Sequence, residues 1–190
     1  MTALNPWFEC VDLSEHSNTP FFKLPPPILS AGHPYMSIWL MKSEPEEFSI
    51  DDLVKIKNQA VPWFGVRNYL ARNYMRDQMK VGDEVLFYQS SCPEPGIVGL
   101  ARVASAAYPD ETQWDKKSKY FDAKATHENP RWMLVDVKLA KKTRLLSLTE
   151  MREQGALADM TTLQRGNRLS ITPVKPAELK AVLKLLGTKF

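Results

Sequence analysis

The sequence predicts an α+β fold built on a small, curved antiparallel sheet. Two observations carry this. Strand-length apolar runs cluster along the chain, with helical patterns between and after them. The regular strand–helix–strand rhythm of a doubly wound sheet is absent, and two of the strands are close enough in sequence to form a hairpin.

The elements follow in order. Residues 1–37 hold six of the 14 prolines, one basic residue (Lys23) and three acidic ones (Glu9, Asp12, Glu15). The stretch Phe21 to Pro27 ends in three consecutive prolines, which remove amide donors and fix φ. Residues 1–36 are therefore expected to form a Pro-rich, poorly ordered, dispensable extension, and Met36 is an alternative native start. The domain is expected to occupy residues 37–190.

Ser37 to Met41 is an apolar run of strand length, closed by Lys42-Ser43-Glu44-Pro45. Ser49 with Asp52 forms a capping-box signature, and Ile50, Leu53, Val54 and Lys57 follow on one helical face. Arg67 to Met79 contains neither Gly nor Pro and predicts a second helix. Lys80-Val81-Gly82-Asp83 reads as a turn into a strand over 84–90, and the loop 92–96 leads to a strand over 97–103. Residues 109–129 are polar, aromatic-studded and irregular. From Trp132 to Leu139, the alternation of Met133, Val135, Val137 and Leu139 predicts a half-buried strand. Ser147 and Glu150 cap a short helix that Gly155 stops, and Leu157 to Gln164 suggests another. A brief strand over 169–172 precedes an amphipathic helix from Pro176, with Leu179, Val182, Leu183 and Leu186 on its face and Gly187 at its end.

Composition narrows the function classes. The chain has 190 residues, with 25 Lys+Arg against 22 Asp+Glu, a formal charge of +3. Without residues 1–37 the balance is 24 against 19, or +5. That permits a nucleic-acid partner without demanding one. No run of about 18 apolar residues predicts a membrane span, and no secretory signal opens the chain. Cys10 and Cys92 form no CxxC pair, and His16, His33 and His127 show no ligand spacing, so neither metal nor cofactor is expected. Nucleotide-binding glycine motifs, a nucleophile elbow and HExxH are all absent. Glu44, Glu46 and Glu47 beside a helix start read as solvated, dipole-complementing carboxylates.

The distinctive feature is aromatic and basic. Trp39, Trp63, Phe64, Tyr69, Tyr74, Phe87, Tyr88, Tyr108, Trp114, Tyr120, Phe121 and Trp132 interleave with Arg67, Arg72, Arg76, Lys116, Lys117, Lys119 and Arg131. Aromatic faces stack on bases and cations meet phosphates, which suits unpaired or flipped nucleotides. The competing reading places the aromatics in the core and the charges on the surface. Trp63 stands out because it lies in a Pro/Gly loop that runs directly into Arg67-Asn68. Asn68 is equally suited to a base pocket and to capping the helix that follows.

Trp39-Leu40-Met41-Lys42-Ser43-Glu44-Pro45, Trp63-Phe64-Gly65-Val66-Arg67-Asn68-Tyr69, Phe87-Tyr88-Gln89-Ser90 and Arg168-Leu169-Ser170-Ile171-Thr172-Pro173 occur in that order. These blocks, over about residues 37–187, resemble the EVE domain of the PUA-like superfamily. Gln89 departs from the histidine that many members carry. The resemblance implies a PUA-like curved antiparallel β-barrel with flanking short helices. It also implies a pocket for a modified base, chiefly 5-substituted cytosine in DNA, with RNA as the alternative polymer.

On that reading Trp63 and Tyr88 stack the base, Ser43, Asn68 and Ser90 read its edge, and Lys42, Arg67, Arg72 and Arg131 meet phosphates. The protein is then a non-catalytic binder with no cofactor and no membrane partner, cytoplasmic in a bacterium and nuclear in a eukaryote. A nucleotide or RNA-modification hydrolase using Glu44 or Asp122 is the enzymatic alternative. A small-molecule or protein adaptor is the third.

Overall fold

Unbroken apolarity in the first and third strands has a structural cause: both faces of the central sheet are covered. The computed structural model describes residues 36–56 and 59–190. The expectations for residues 1–35 and for Lys57 lie outside the described residues.

The chain runs β1 (Ile38–Ser43), α1 (Ile50–Lys55), β2 (Ala60–Pro62), α2 (Tyr69–Asn73), β3 (Glu84–Gln89) and β4 (Gly96–Val103). It continues through β5 (Tyr108–Pro109), β6 (Met133–Leu134), β7 (Asp136–Ser147), α3 (Leu148–Arg152), β8 (Ile171–Pro173) and α4 (Pro176–Leu186). Six strands form a curled half-barrel sheet in the order β2-β7-β4-β3-β1-β8, and β5 pairs separately with β6. All pairs are antiparallel except β1 with β3. That pair is parallel because the chain crosses over through α1, β2 and α2 before returning as β3.

Strand alternation sorts the core into two layers. Trp39, Met41, Val85 and Phe87 join Ile50, Leu53, Trp63, Met75 and Val137 on one side of the sheet. Ile38, Leu40, Leu86 and Tyr88 join Leu146, Met151, Met160, Leu179 and Val182 on the other. Trp39 is buried without leaving its indole unpaired: Nε1 donates to Asp83 Oδ2 at 2.9 Å. The buried Asp83 carboxylate also accepts from the amides of Ser37 and Lys80. This ties the turn before β3 to the start of β1.

The expected caps form. Asp52 N donates to Ser49 Oγ while Ser49 N donates to Asp52 Oδ2, both at 3.1 Å. Glu150 N donates to Ser147 Oγ at 3.1 Å, so α3 begins where β7 ends. The helix expected over 67–79 starts later, at Tyr69, and its last five residues, Tyr74–Gln78, form a π-helical turn. The strand expected over 132–139 divides at Val135 into β6 and β7, and β7 continues to Ser147. In place of a helix over 157–164 there are two 3-10 turns, Gly155–Leu157 and Thr161–Leu163. No helix among the described residues is long and apolar enough to cross a membrane.

Candidate functional site

A cavity of about 420 Å³ opens where several chain segments converge. Lys42 and Ser43 come from the end of β1, and Glu44, Glu47 and Phe48 from the turn after it. Pro62 to Arg67 form the loop that leaves β2. Ser90 and Ser91 follow β3, Tyr120 comes from the irregular segment, and Arg168 and Ser170 precede β8. Trp63 is the floor. It is buried, and its ring meets Phe87 edge-on with centroids 5.3 Å apart. Phe64 stands at the rim, 49% exposed, edge-on to Tyr120 at 6.1 Å.

The loop that carries Trp63 and Phe64 is held by one buried carboxylate. Asp110 Oδ2 accepts from Gly65 N at 2.9 Å and from Arg67 Nη1 at 2.8 Å, while Oδ1 accepts from the amide and hydroxyl of Thr112. Burial by itself would raise the Asp110 pKa. The hydrogen bonds from Arg67, Thr112 and Gly65 outweigh it and hold the group below the usual carboxylate range.

Gly65 adopts φ +83°, and a Cβ there would lie 2.6 Å from the Tyr120 ring. Gly65→Ala is therefore expected to combine a left-handed backbone penalty of about 1–2 kcal/mol with displacement of Tyr120. The loss should appear in denaturant unfolding together with a change in tyrosine environment, and an unchanged midpoint would refute it.

The structure separates the residues expected to act together. Ser43, Trp63 and Ser90 line the cavity with Lys42 and Arg67. Ser43 Oγ donates to Phe48 O at 2.8 Å, which closes the turn that carries Glu44 and Glu47. Burial pushes the Lys42 ammonium pKa down.

Tyr88 does not join them. It follows Phe87 on β3, so alternation turns it to the opposite face, where it is buried among Leu40, Ile97 and Leu146. Asn68 is the cap of α2: its Oδ1 accepts from Leu70 N and Ala71 N, and it does not line the cavity.

Arg67 lines the wall, but its five N–H donors are matched by five bonds. These run to Asp110, Thr112, Val66 O and, twice, Tyr120 O. It is a clamp rather than a free phosphate ligand.

Arg72 and Arg131 sit outside the cavity in a ladder of aromatic and guanidinium groups. Arg72 donates to Arg131 O and Asn73 Oδ1 and lies over Tyr69, which stacks on Trp132 at 4.9 Å. Arg131 meets the Tyr69 hydroxyl and pairs with Asp122 at 3.4 Å. Asp122 also accepts from the Lys124 amide and from Trp132 Nε1 at 2.8 Å, which keeps its carboxyl below the usual range. It does not line the cavity, so it is not placed as a catalytic acid there.

Several lining residues were not among the expected site residues: Glu47, Ser91, Tyr120 and Arg168. Glu44 accepts from Ser91 Oγ at 2.9 Å. Glu47 accepts from the Tyr120 hydroxyl at 2.5 Å and pairs with Lys119. Burial, then the neighbouring Glu44, pushes the Tyr120 hydroxyl pKa up. Ser91 holds φ +55°, a conformation that disfavours side chains and concentrates at functional sites. The cavity thus combines aromatic surfaces, two carboxylates, several hydroxyls and the cationic groups of Lys42 and Arg168. Among the described residues no cluster of three or more His, Cys, Asp or Glu is arranged to hold a metal.

Known proteins share this arrangement of chain. The family model of the EVE domain matches residues 37–185. Thymocyte nuclear protein 1 of Gallus gallus is 42% identical over 165 residues, 77% of this chain and 67% of its own. A hypothetical protein from Leishmania major superposes with a TM-score of 0.76 at 47% identity, covering 80% of this chain and 96% of its own. The human THYN1 protein, solved in complex with 5-methylcytosine containing DNA, gives a TM-score of 0.75 at 40% identity, covering 81% and 99%.

Proposed function

The chain belongs to the EVE domain family, and from that premise we propose that it is a non-catalytic DNA-binding protein that reads a flipped, 5-substituted cytosine in the Trp63 cavity. The observation that carries this reading is the lining itself: aromatic surfaces and carboxylate acceptors face one space of about 420 Å³. A volume of this order is typical of small-ligand sites. The 40%-identical human protein solved with methylated DNA supports the choice of ligand.

The base chemistry follows from the donors and acceptors. The exocyclic amine of cytosine is a donor that a carboxylate accepts well. Glu44, held through one oxygen by Ser91, is the proposed partner. The ring's acceptor edge then faces the Ser90 hydroxyl and the Arg168 guanidinium, which line the same space. The 5-substituent rests against Pro62, Trp63 and Phe64. A base must leave its stack to enter such a space, and a mispaired or unpaired base does so at least cost.

The test is a panel of DNA and RNA oligomers at one salt concentration. They carry 5-methylcytosine, 5-hydroxymethylcytosine or methyladenine, with unmodified controls. Preference for 5-substituted cytosine in DNA is expected. Equal affinity for all members would sink the reading, stronger binding of the RNA set would reassign the polymer, and turnover of a modified nucleotide would make the protein an enzyme. Phe64→Ala is expected to weaken the preferred complex by about 1–3 kcal/mol. Because Phe64 is half-exposed, the unfolding midpoint should barely move.

A further inference from the structure

A second cavity, of about 610 Å³, adjoins the first; Lys42 and Ser90 line both. The two differ in charge. The first has Glu44 and Glu47 in its wall, whereas no Asp or Glu lines the second. Its charged side chains are Lys42, Arg152 at the end of α3, and Arg165 in the turn after Leu163. None of these three has an ion-pair partner among the described residues, although Arg67, Arg76, Arg102, Arg131 and Arg144 are each paired. The turn is held from within: Asn167 Nδ2 donates to Thr161 O at 2.5 Å and Asn167 Oδ1 accepts from Leu169 N at 2.9 Å. Gly166, at φ +80°, has nothing within 4 Å of the place a Cβ would take, so a ligand can approach the backbone closely.

We propose that this second cavity holds a phosphate of the bound strand, the phosphodiester next to the nucleotide whose base occupies the first. The inference rests on the reading above, which places a DNA base beside Glu44. Three unpaired cations around a space without carboxylates match an anion, while the aromatic neighbour, which alone of the two presents carboxylate acceptors, matches an amine-bearing base. Phosphate contacts of this kind fix register and carry no sequence information. Arg152 and Arg165 thus join Lys42 as the phosphate ligands, in place of Arg67, Arg72 and Arg131.

The experiment measures binding of the full chain to a single-stranded oligomer with one central 5-methylcytosine, across a salt series. It compares the wild type with a variant carrying Arg152→Gln and Arg165→Gln, both at exposed positions. The variant should lower the slope of log K against log salt by about 0.7, the loss of one phosphate contact on a single strand. Its preference for methylated over unmethylated oligomer should be unchanged. A neutral methylphosphonate at one linkage flanking the modified base should erase the difference between wild type and variant. An unchanged slope, or a difference that survives methylphosphonate at both flanking linkages, overturns this proposal and leaves the base-reading one standing. If the variant instead loses only binding of the free 5-methyl-deoxycytidine monophosphate, the phosphate belongs to a mononucleotide and the strand assignment is wrong. If the wild type binds no oligomer, both proposals fall together.

Discussion

Trp63→Ala is expected to destabilise the domain by about 3–5 kcal/mol, the range for emptying a large aromatic from a core. Trp63 is 7% exposed, packs edge-on against Phe87 and belongs to the same layer as Met41, Val66 and Val137. Its exposed remainder is the floor of the cavity, so the substitution should also weaken methylated DNA by about 1–3 kcal/mol per folded molecule. The two effects are separable. Urea unfolding reads the first, and affinity corrected for the folded fraction reads the second. Trp63→Phe keeps an aromatic face and should recover much of the stability. A large stability loss with unchanged affinity per folded molecule would make Trp63 a core residue alone.

The elements legible in the sequence are those whose signal is periodic or local. Ser49 with Asp52 and Ser147 with Glu150 mark helix starts through contacts three residues apart, and both caps form. The strands expected over 37–41, 84–90 and 97–103 form as β1, β3 and β4, with the expected hairpin between the last two. What periodicity could not show was which face of a doubly covered strand meets the cavity. Phe87 and Tyr88 are adjacent aromatics on one strand; the packing of Trp63 on Phe87 shows which of them faces that layer, and alternation turns Tyr88 to the other. β2 was missed for a related reason: three half-exposed or exposed residues ending in proline carry no pattern.

The irregular segment over 109–129 is ordered by polar bonds, which have no period at all. Gln113 is fully buried. Its Nε2 donates to Asp110 O and Trp132 O, and its Oε1 accepts from the amides of Arg131 and Trp132. That one side chain places Asp110 and, through it, Gly65. Composition counts charges without showing which the fold already pairs. Arg67 stands among aromatics in sequence and is fully bonded in space. Arg152 and Arg165 have no aromatic neighbours in sequence and remain unpaired among the described residues.

Removing the Asp110 carboxylate should rival the loss of Trp63. The Asp110 side chain is 1% exposed and that of Arg67 is 21% exposed, so their 2.8 Å ion pair is largely shielded from water. Deleting one member of such a pair leaves the other uncompensated and typically costs about 3–5 kcal/mol. Partial exposure of Arg67 places Asp110→Ala toward the lower end of that range. The same change frees Gly65 N–H and the Thr112 donors, so the loop carrying Trp63 and Phe64 loses its anchor and affinity should fall with stability. Asp110→Asn keeps the shape but removes the charge, which provides a pH test. The folded-state pKa lies below the unfolded value of about 3.9, so the contribution is fully present above that pH. It is lost as pH falls through the folded value. Wild-type stability should therefore drop more steeply than that of Asp110→Asn below about pH 4, and the two curves should run parallel from about pH 5 to 7. Other acid-sensitive carboxylates, such as Asp122, are common to both proteins and cancel in the comparison. Parallel curves throughout, measured by urea unfolding from pH 2.5 to 7, would show that Asp110 anchors the loop by shape alone.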